Sequence, residues 1–455
     1  MFGFLTFRPR EDRLSPANRA GLRARRLAVR VLTGVLKQRK AFDEVWDRAT
    51  ADAAFANLEP RDRAFARTIV MMALRRTGQL RAIIANFIPK PLPPQRGQID
   101  EILLAAAAQL VFLKSAPHAV IDLAVHQVRE DDGARRFHKL ANAVLRRVSE
   151  QGETLAAQQN AGEMNTPDWL WSRWVKVYGP EMAHHIAAQH LSEPPLDLTV
   201  KADAEQWADR LNGAVLPMGS VRLTVKGRVE ELEGFGEGAW WVQDAAAALP
   251  ARLMGDLAGK LVADLCAAPG GKTAQLAYAG AKVWAVDQSA SRLERLKANL
   301  ARLKLEAEVC EGNAAEWTPP EPLDAVLIDA PCTATGTIRR NPDVAHLKRP
   351  EDINELAPLQ HRLITHALGM LKPGGMLLYC TCSLEPSEGV EQIARILQER
   401  QDVTFAPFAP EEIAGRGEWL DERGALRTLP HYLQLSDPEL SGMDGFYAAR
   451  LIKSA

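Results

Sequence analysis

Five short apolar runs in the second half of the chain constrain its fold more than any other feature. LVADLCA, KVWAVD, AEVCEG, AVLIDA and MLLYCTC fall between Leu261 and Cys382, each followed by a helical or looped segment. Runs of about four to eight residues bounded in this way read as buried strands, and strands alternating with helices build a mostly parallel, doubly wound sheet. Residues 240–455 are therefore expected to form an α/β domain whose working loops follow the strand C-termini.

The first part of the chain follows a different pattern. From Ala20 to about Glu150 it reads as helical. Leu27, Val31, Leu32 and Val35 recur at helical spacing, Ile99 to Leu113 is apolar enough for a buried helix, and PKPLPP at 89–94 separates two helices. RRFHKLANAVLRRV (135–148) reads as amphipathic, with Leu140, Ala143, Val144 and Val148 on its apolar side. Residues 1–18 read as a tail, 19–150 as the helical domain, 151–165 as a polar linker and 166–239 as a small α/β module. That module holds a Trp-rich helix (Trp169, Trp171, Trp174) and the strand LDLTVK at 196–201. With 455 residues, 47% apolar and 25% charged, the chain is long enough for several cores and excludes disorder.

The net charge of −1 conceals an asymmetry: residues 1–150 carry +12 and the remainder −13. A basic helical domain on an acidic body points to a polyanionic partner. Arg23, Arg25, Arg26 and Arg30 on the first helix, with Arg135, Arg136, Lys139, Arg146 and Arg147 on the last, are the residues expected to face it. The N-terminus has no secretory pattern and the longest apolar run is too short to span a bilayer, so a cytoplasmic protein without membrane contact is expected. All five cysteines lie between Cys266 and Cys382, which excludes a disulfide framework and fits reduced thiols. No heptad pattern asks for a partner copy, so a monomer is expected.

The first strand runs into a loop of small residues, Cys266, Ala267, Ala268, Pro269, Gly270 and Gly271, followed by Lys272 at the start of a helix. A phosphate-binding Walker loop needs glycine where Cys266 stands, and the dinucleotide pattern GxGxxG is absent. A nucleoside-binding loop of the methyltransferase kind remains. Asp287 ends the next strand, where a carboxylate accepts ribose hydroxyls, although it also reads as a helix cap. Asn313 follows the third strand, where its amide faces an adenine edge, and Asp329 ends the fourth. Asp329, Pro331 and Cys332 follow one strand; Cys380 and Cys382 end another, on the same rim. Cys310 and Cys380 lie inside strand runs and read as small buried hydrophobes. C-x-C with scattered cysteines does not supply a zinc site, so no metal is expected.

DLCAAPGGKT, DAPCTATGTIRRNPD and YCTCSLEPSE resemble the motifs of RNA cytosine-C5 methyltransferases of the Nop/Sun group. The helical region 20–150 resembles a NusB-like RNA-binding domain, a pairing found in the RsmB/Sun branch that modifies bacterial small-subunit ribosomal RNA. The resemblance implies an all-α NusB-like domain, a small α/β domain and a Rossmann-like class I methyltransferase domain. It also implies S-adenosyl-L-methionine as cofactor and rRNA as partner. C5 of cytosine is a poor nucleophile until a thiolate adds at C6. The resemblance makes Cys382 that thiolate and Cys332 the group assisting product release. It assigns Cys266 to Lys272 to the cofactor's amino-acid part, Asp287 to its ribose and Asn313 to its adenine, where the family usually has aspartate. Asp329 would serve cofactor or cytosine. Lys272 or Arg339 would favour the thiolate, and Arg339, Arg340, Lys348 and Arg349 would meet RNA phosphates. Gly389 stands where asparagine is frequent, and His346 where an aromatic such as Trp is common. The alternatives are the same chemistry on tRNA, a DNA cytosine-C5 methyltransferase using Cys332, and a non-catalytic RNA-binding assembly factor.

Overall fold

The computed structural model describes residues 16–224 and 228–454. Most of the expected N-terminal tail lies outside the described residues, but its last three positions open the first helix. The described chain forms two compact units: one runs through Ser172 and includes Asn341–Leu347, the other holds Arg173–Arg340 and Lys348 onward.

The first unit is a helical bundle, α1 (Pro16–Leu36), α2 (Phe42–Ala51), α3 (Pro60–Arg75), α4 (Thr77–Ala85), α5 (Ile99–Val111), α6 (Pro117–Glu130) and α7 (His138–Ala157), followed by the short helix Ala161–Met164. Leu27, Val31, Leu32 and Val35 are fully buried on α1, as their spacing predicts. α5 is buried around nearly its whole circumference, and its Glu101 is accommodated by Lys37 Nζ at 2.7 Å. α7 departs from expectation twice. Its buried face is Ala141, Val144, Leu145 and Val148, with Ala143 exposed, because 100° per residue carries position 143 off the stripe. The expected linker at 151–157 is its last turns: a side chain at Gly152 would lie 2.7 Å from Val111 Cγ2, and Leu155 packs on the core.

The basic residues also sort themselves. Arg25 is buried over the Phe65 ring, Arg26 pairs with Glu130, and Arg30 pairs with Asp52 at 2.9 Å. Of the α1 arginines only Arg25 is thus turned inward, while Arg30 stays exposed within its pair. Lys139, Arg146 and Arg147 of α7 are exposed and make no ion pair among the described residues.

Asn341–Leu347, expected to be part of the α/β domain, is carried by the helical unit. Phe42 N donates to Asp343 Oδ2 at 2.9 Å, and His346 Nε2 donates to Leu74 O at 2.9 Å. Burial lowers His346 to about 4, helped by Arg81 and Arg39, so the ring is neutral. A histidine with a depressed folded pKa stabilises above its unfolded value near 6.5 and loses that contribution as pH falls toward 4. The native chain should therefore lose roughly 3 kcal/mol over that window from this group, and His346→Gln should flatten that slope, as read by chemical denaturation at several pH values.

In the second unit, helices Asp168–Tyr178 (whose last residues belong here) and Pro180–His190 precede a four-stranded antiparallel sheet. Its strands are β1 (Leu196–Val200), β2 (Ala214–Val215), β3 (Val221–Leu223) and β4 (Trp240–Val242), in the order β2-β3-β1-β4. β4 lies just past the expected boundary at 239, because Trp240 closes the sheet's own core with Leu198, Trp207, Val221 and Leu223. Arg222 and Asp197 form a buried two-pronged pair (2.6 and 2.7 Å), and Arg222 Nη1 donates to Leu440 O and Gly442 O.

The large sheet contains β5 (Leu261–Leu265), β6 (Lys282–Asp287), β7 (Glu308–Glu311), β8 (Leu323–Asp329), β9 (Leu371–Thr381), β10 (Val403–Phe405), β11 (Leu426–Thr428) and β12 (Phe446–Lys453). The strand order is β7-β6-β5-β8-β9-β12-β10, with β11 also on β12. β5 to β9 pair in parallel, while β12 is antiparallel to its neighbours. This is the mostly parallel α/β sheet the alternation predicts. The helix Ala290–Leu303 buries Leu293, Leu296, Leu300 and Leu303 against it. Parallel pairing puts the C-termini of β5, β6, β8 and β9 on one rim, with the order reversing at β5, where open sheets bind ligands. No helix among the described residues is long and apolar enough to cross a membrane.

Candidate active site

The loop after β5 bends sharply. Cys266 has φ +64° and Gly270 φ +100°, and the peptide Ala268–Pro269 is cis. At Gly270 a side chain would strike Leu296 Cγ at 2.9 Å, so left-handed backbone and close packing both require glycine. The loop ends at the N-terminus of the helix Gly271–Tyr278, and its Ala267 and Ala268 pack with Leu293 and Leu296. Asp287 at the end of β6 accepts from Ala268 N at 3.2 Å and from Ser289 N at 3.0 Å. It thus holds the β5 loop and supports the start of the next helix. Asn313 is exposed, and its Oδ1 accepts from Ala315 N at 3.1 Å within its own turn.

Asp329 sits across the rim from this loop. Lys272 Nζ reaches its Oδ2 at 2.6 Å, and the Cys380 thiol lies 3.7 Å from its Oδ1. Burial works against the Lys272 ammonium, but Asp329, with Cys380 and Asp264 adding to it, outweighs burial and raises the group. Asp264, inside β5, accepts from Thr273 Oγ1 at 2.6 Å. Burial pushes it up to about 7. Its Oδ1 is buried with no hydrogen-bond partner among the described residues.

Cys332 and Cys382 meet: their sulfurs are 3.5 Å apart, although 50 residues separate them. Contact with Cys382 and then burial raise Cys332 well above an ordinary thiol. Either sulfur can donate across this contact. Burial raises Cys266 to about 12, with Asp329 and Asp287 adding to it, and raises Cys380 further. Cys380 is fully buried, whereas Cys310, expected to be buried, is half-exposed. β7 is the last strand on its side of the sheet, which explains the difference.

Three consecutive carbonyls hold the Cys382 loop. Cys382 O accepts from Gly336 N (2.9 Å), Ser383 O from Arg427 Nη1 (2.7 Å) and Leu384 O from Tyr178 Oη (2.5 Å).

Among the expected cations, Arg339 departs from its expected place. Lys272 is engaged by Asp329. Arg339 is buried at 0% exposure and faces Asp244 at 3.3 Å, so it is unavailable to RNA. Arg340 instead supplies positive charge to Cys382, and its guanidinium is held by the buried Asp444 (Nε–Oδ2 2.8 Å). Burial alone would lower Arg340; Asp444 and Asp244 keep it charged. Asp244, Asp444 and Glu388 were missed by sequence reasoning. Glu388 stands inside the quoted YCTCSLEPSE motif, and the other two carry no local signal. Among the described residues no group of His, Cys, Asp and Glu is placed to hold a metal ion.

A sheet of this order, with a small-residue loop after β5 and acids ending β6 and β8, defines a Rossmann-like methyltransferase domain. Residues 255–452 match the family described as 16S rRNA methyltransferase RsmB/F, and residues 22–150 match the NusB family. Ribosomal RNA small subunit methyltransferase B of Shewanella oneidensis is 34% identical over 411 residues, covering 87% of this chain and 91% of that protein. One solved crystal structure covers 97% of this chain and all of its own at TM-score 0.74 and 23% identity, a likeness of fold. A methyltransferase homolog from Pyrococcus horikoshii is 29% identical, with TM-score 0.51, over 62% of this chain and 93% of its own. The chain belongs to the RsmB/F family of methyltransferases and carries a NusB domain at its N-terminus.

Proposed function

We propose that this protein forms 5-methylcytosine in small-subunit ribosomal RNA, using S-adenosyl-L-methionine and a covalent adduct between Cys382 and cytosine C6. The contact between the Cys332 and Cys382 sulfurs carries the reading: two thiols, one of them held protonated, meet on the rim that bears the β5 loop. The name of the Shewanella relative supports the RNA class.

The residues present suit the cofactor. The β5 loop offers backbone N–H groups and close approach, Asp329 and the unpartnered Asp264 oxygen offer acceptors for an ammonium, and Asp287 ends its strand at the ribose position. When bound, the cofactor supplies an electrophilic methyl group. Cys266 to Lys272 would hold its amino-acid part and Asn313 would lie near its adenine.

The target base must leave its stack, at a cost of about a few kcal/mol. The Cys382 thiolate, beside the Arg340 charge, adds to C6 and moves an electron pair onto C5. C5 takes the methyl group, its proton then leaves to a base, and the carbon–sulfur bond breaks to return the thiolate. Cys332, in contact with the attacking sulfur, assists that release. The exposed Lys139, Arg146 and Arg147 of the NusB domain would hold RNA phosphates, giving a salt-dependent affinity that offsets base extrusion.

Trapping tests the reading. Small-subunit rRNA containing 5-azacytosine, incubated with enzyme and S-adenosylmethionine, should give an adduct stable on denaturing gels that Cys382→Ser alone abolishes. Loss with Cys332→Ser instead would move the nucleophile. Tight RNA binding with no adduct on rRNA or tRNA would leave the assembly-factor reading standing.

A further inference from the structure

Glu388 is fully buried, pairs with no lysine or arginine among the described residues, and has no part in the steps above. A buried carboxylate is costly unless donors satisfy it. Four do so here. Thr333 N donates to Oε1 at 2.9 Å, Gln360 Nε2 to Oε1 at 3.0 Å, Ser383 Oγ to Oε2 at 2.5 Å, and Thr333 Oγ1 also to Oε2. Thr333 follows Cys332 and Ser383 follows Cys382. Gln360, on the helix Pro350–Met370, also donates to Pro331 O at 2.9 Å, so both chain neighbours of Cys332 are held through one hub.

We infer that Glu388 is the positioning residue of the thiol pair: its carboxylate ties the Cys332 loop to the Cys382 loop, keeps the two sulfurs in contact and makes their roles unequal. The bonds are asymmetric. The Cys332 side is held by a backbone N–H, a hydroxyl and the Gln360 amide, while the Cys382 side is held by one hydroxyl. The carboxylate's charge adds to the contact with Cys382 and to burial in keeping Cys332 protonated. An apolar residue could fill the space, but it could not join two loops 50 residues apart or distinguish the sulfurs.

The adduct readout of the test rests on the proposed cytosine chemistry; the thiol readout does not, because it needs no RNA. Full-length native, Glu388→Gln and Ser383→Ala proteins would receive a limiting dose of iodoacetamide, followed by peptide mapping. S-adenosylmethionine affinity and azacytosine-RNA adduct formation would be measured in parallel. In the native protein Cys382 should be alkylated about tenfold or more in preference to Cys332. Glu388→Gln turns an acceptor into a donor facing donors, so the preference should fall to within about threefold and adduct formation by about 100-fold. Ser383→Ala, which removes one arm, should fall between the two.

Native selectivity and adduct rate in a Glu388→Gln protein that still binds cofactor would overturn the inference. If that variant does not bind cofactor, native selectivity in Ser383→Ala would overturn it instead. Changed selectivity with no adduct from the native enzyme on any RNA would leave the positioning role standing and sink the cytosine reading.

Discussion

With Cys332 replaced by serine, ordinary cytosine-containing rRNA should remain covalently attached to Cys382 through a denaturing gel, with no azacytosine present. On the proposed mechanism the first addition needs only the Cys382 thiolate, and neither the Arg340–Asp444 pair nor the three carbonyl bonds of its loop involve the Cys332 side chain. In the proposed mechanism release does involve it, because Cys332 is the thiol in contact with the Cys382 sulfur. A positioned acid–base group contributes about 100-fold or more, so turnover should fall by at least that factor while adduct accumulates. Multiple-turnover methyl transfer and gel-retained RNA, measured on one sample, would check this. Near-native turnover without adduct would remove Cys332 from the release step.

Gly336→Ala should have a comparable effect by a purely steric route. A Cβ at position 336 would lie 2.0 Å from Gly445 O and 2.6 Å from the carbonyl carbon. Both are backbone atoms that cannot rotate aside. The same glycine donates from its N to Cys382 O at 2.9 Å and accepts from Gly445 N at 2.8 Å, so relief of the clash must move the Cys382 loop. Overpacking of this kind costs about 1–3 kcal/mol, and misplacement by about 1 Å costs roughly 100-fold in rate. Gly369→Ala is the control: it lies within the helix Pro350–Met370 and a Cβ there meets nothing within 4 Å. Thermal melting and the trapping assay should show Gly336→Ala impaired in both and Gly369→Ala in neither.

Much of this site was legible in local sequence. The alternation of apolar runs and helical segments stands as β5 to β9 of one parallel sheet, and parallel strands necessarily share a rim. The β5 loop shows its purpose in composition, because a left-handed turn packed on Leu296 tolerates only glycine at 270. The leucines of Ala290–Leu303 and the first-helix stripe of Leu27, Val31, Leu32 and Val35 fall where a 3.6-residue period places them.

Periodicity reports only which face of an element is buried; it says nothing about partners. The linker reading of 151–157 failed because Gly152 and Leu155 meet the core through a helix already under way. The reading of Arg25 as RNA-facing failed because the fold buries it over the Phe65 ring, a partner its helical spacing does not announce. Arg339 and Arg340 look alike in sequence, yet one lies against Asp244 and the other is held by Asp444, which is 104 residues away. Asn341–Leu347 continues a catalytic-domain motif but folds with the helical unit, through Asp343 and His346. Residue type and spacing settled the elements and the chemical groups carried at their ends. Charge pairing and loop clamping across tens to hundreds of residues depend on packing between elements, because a buried charge is stable only beside the partner that the fold brings to it.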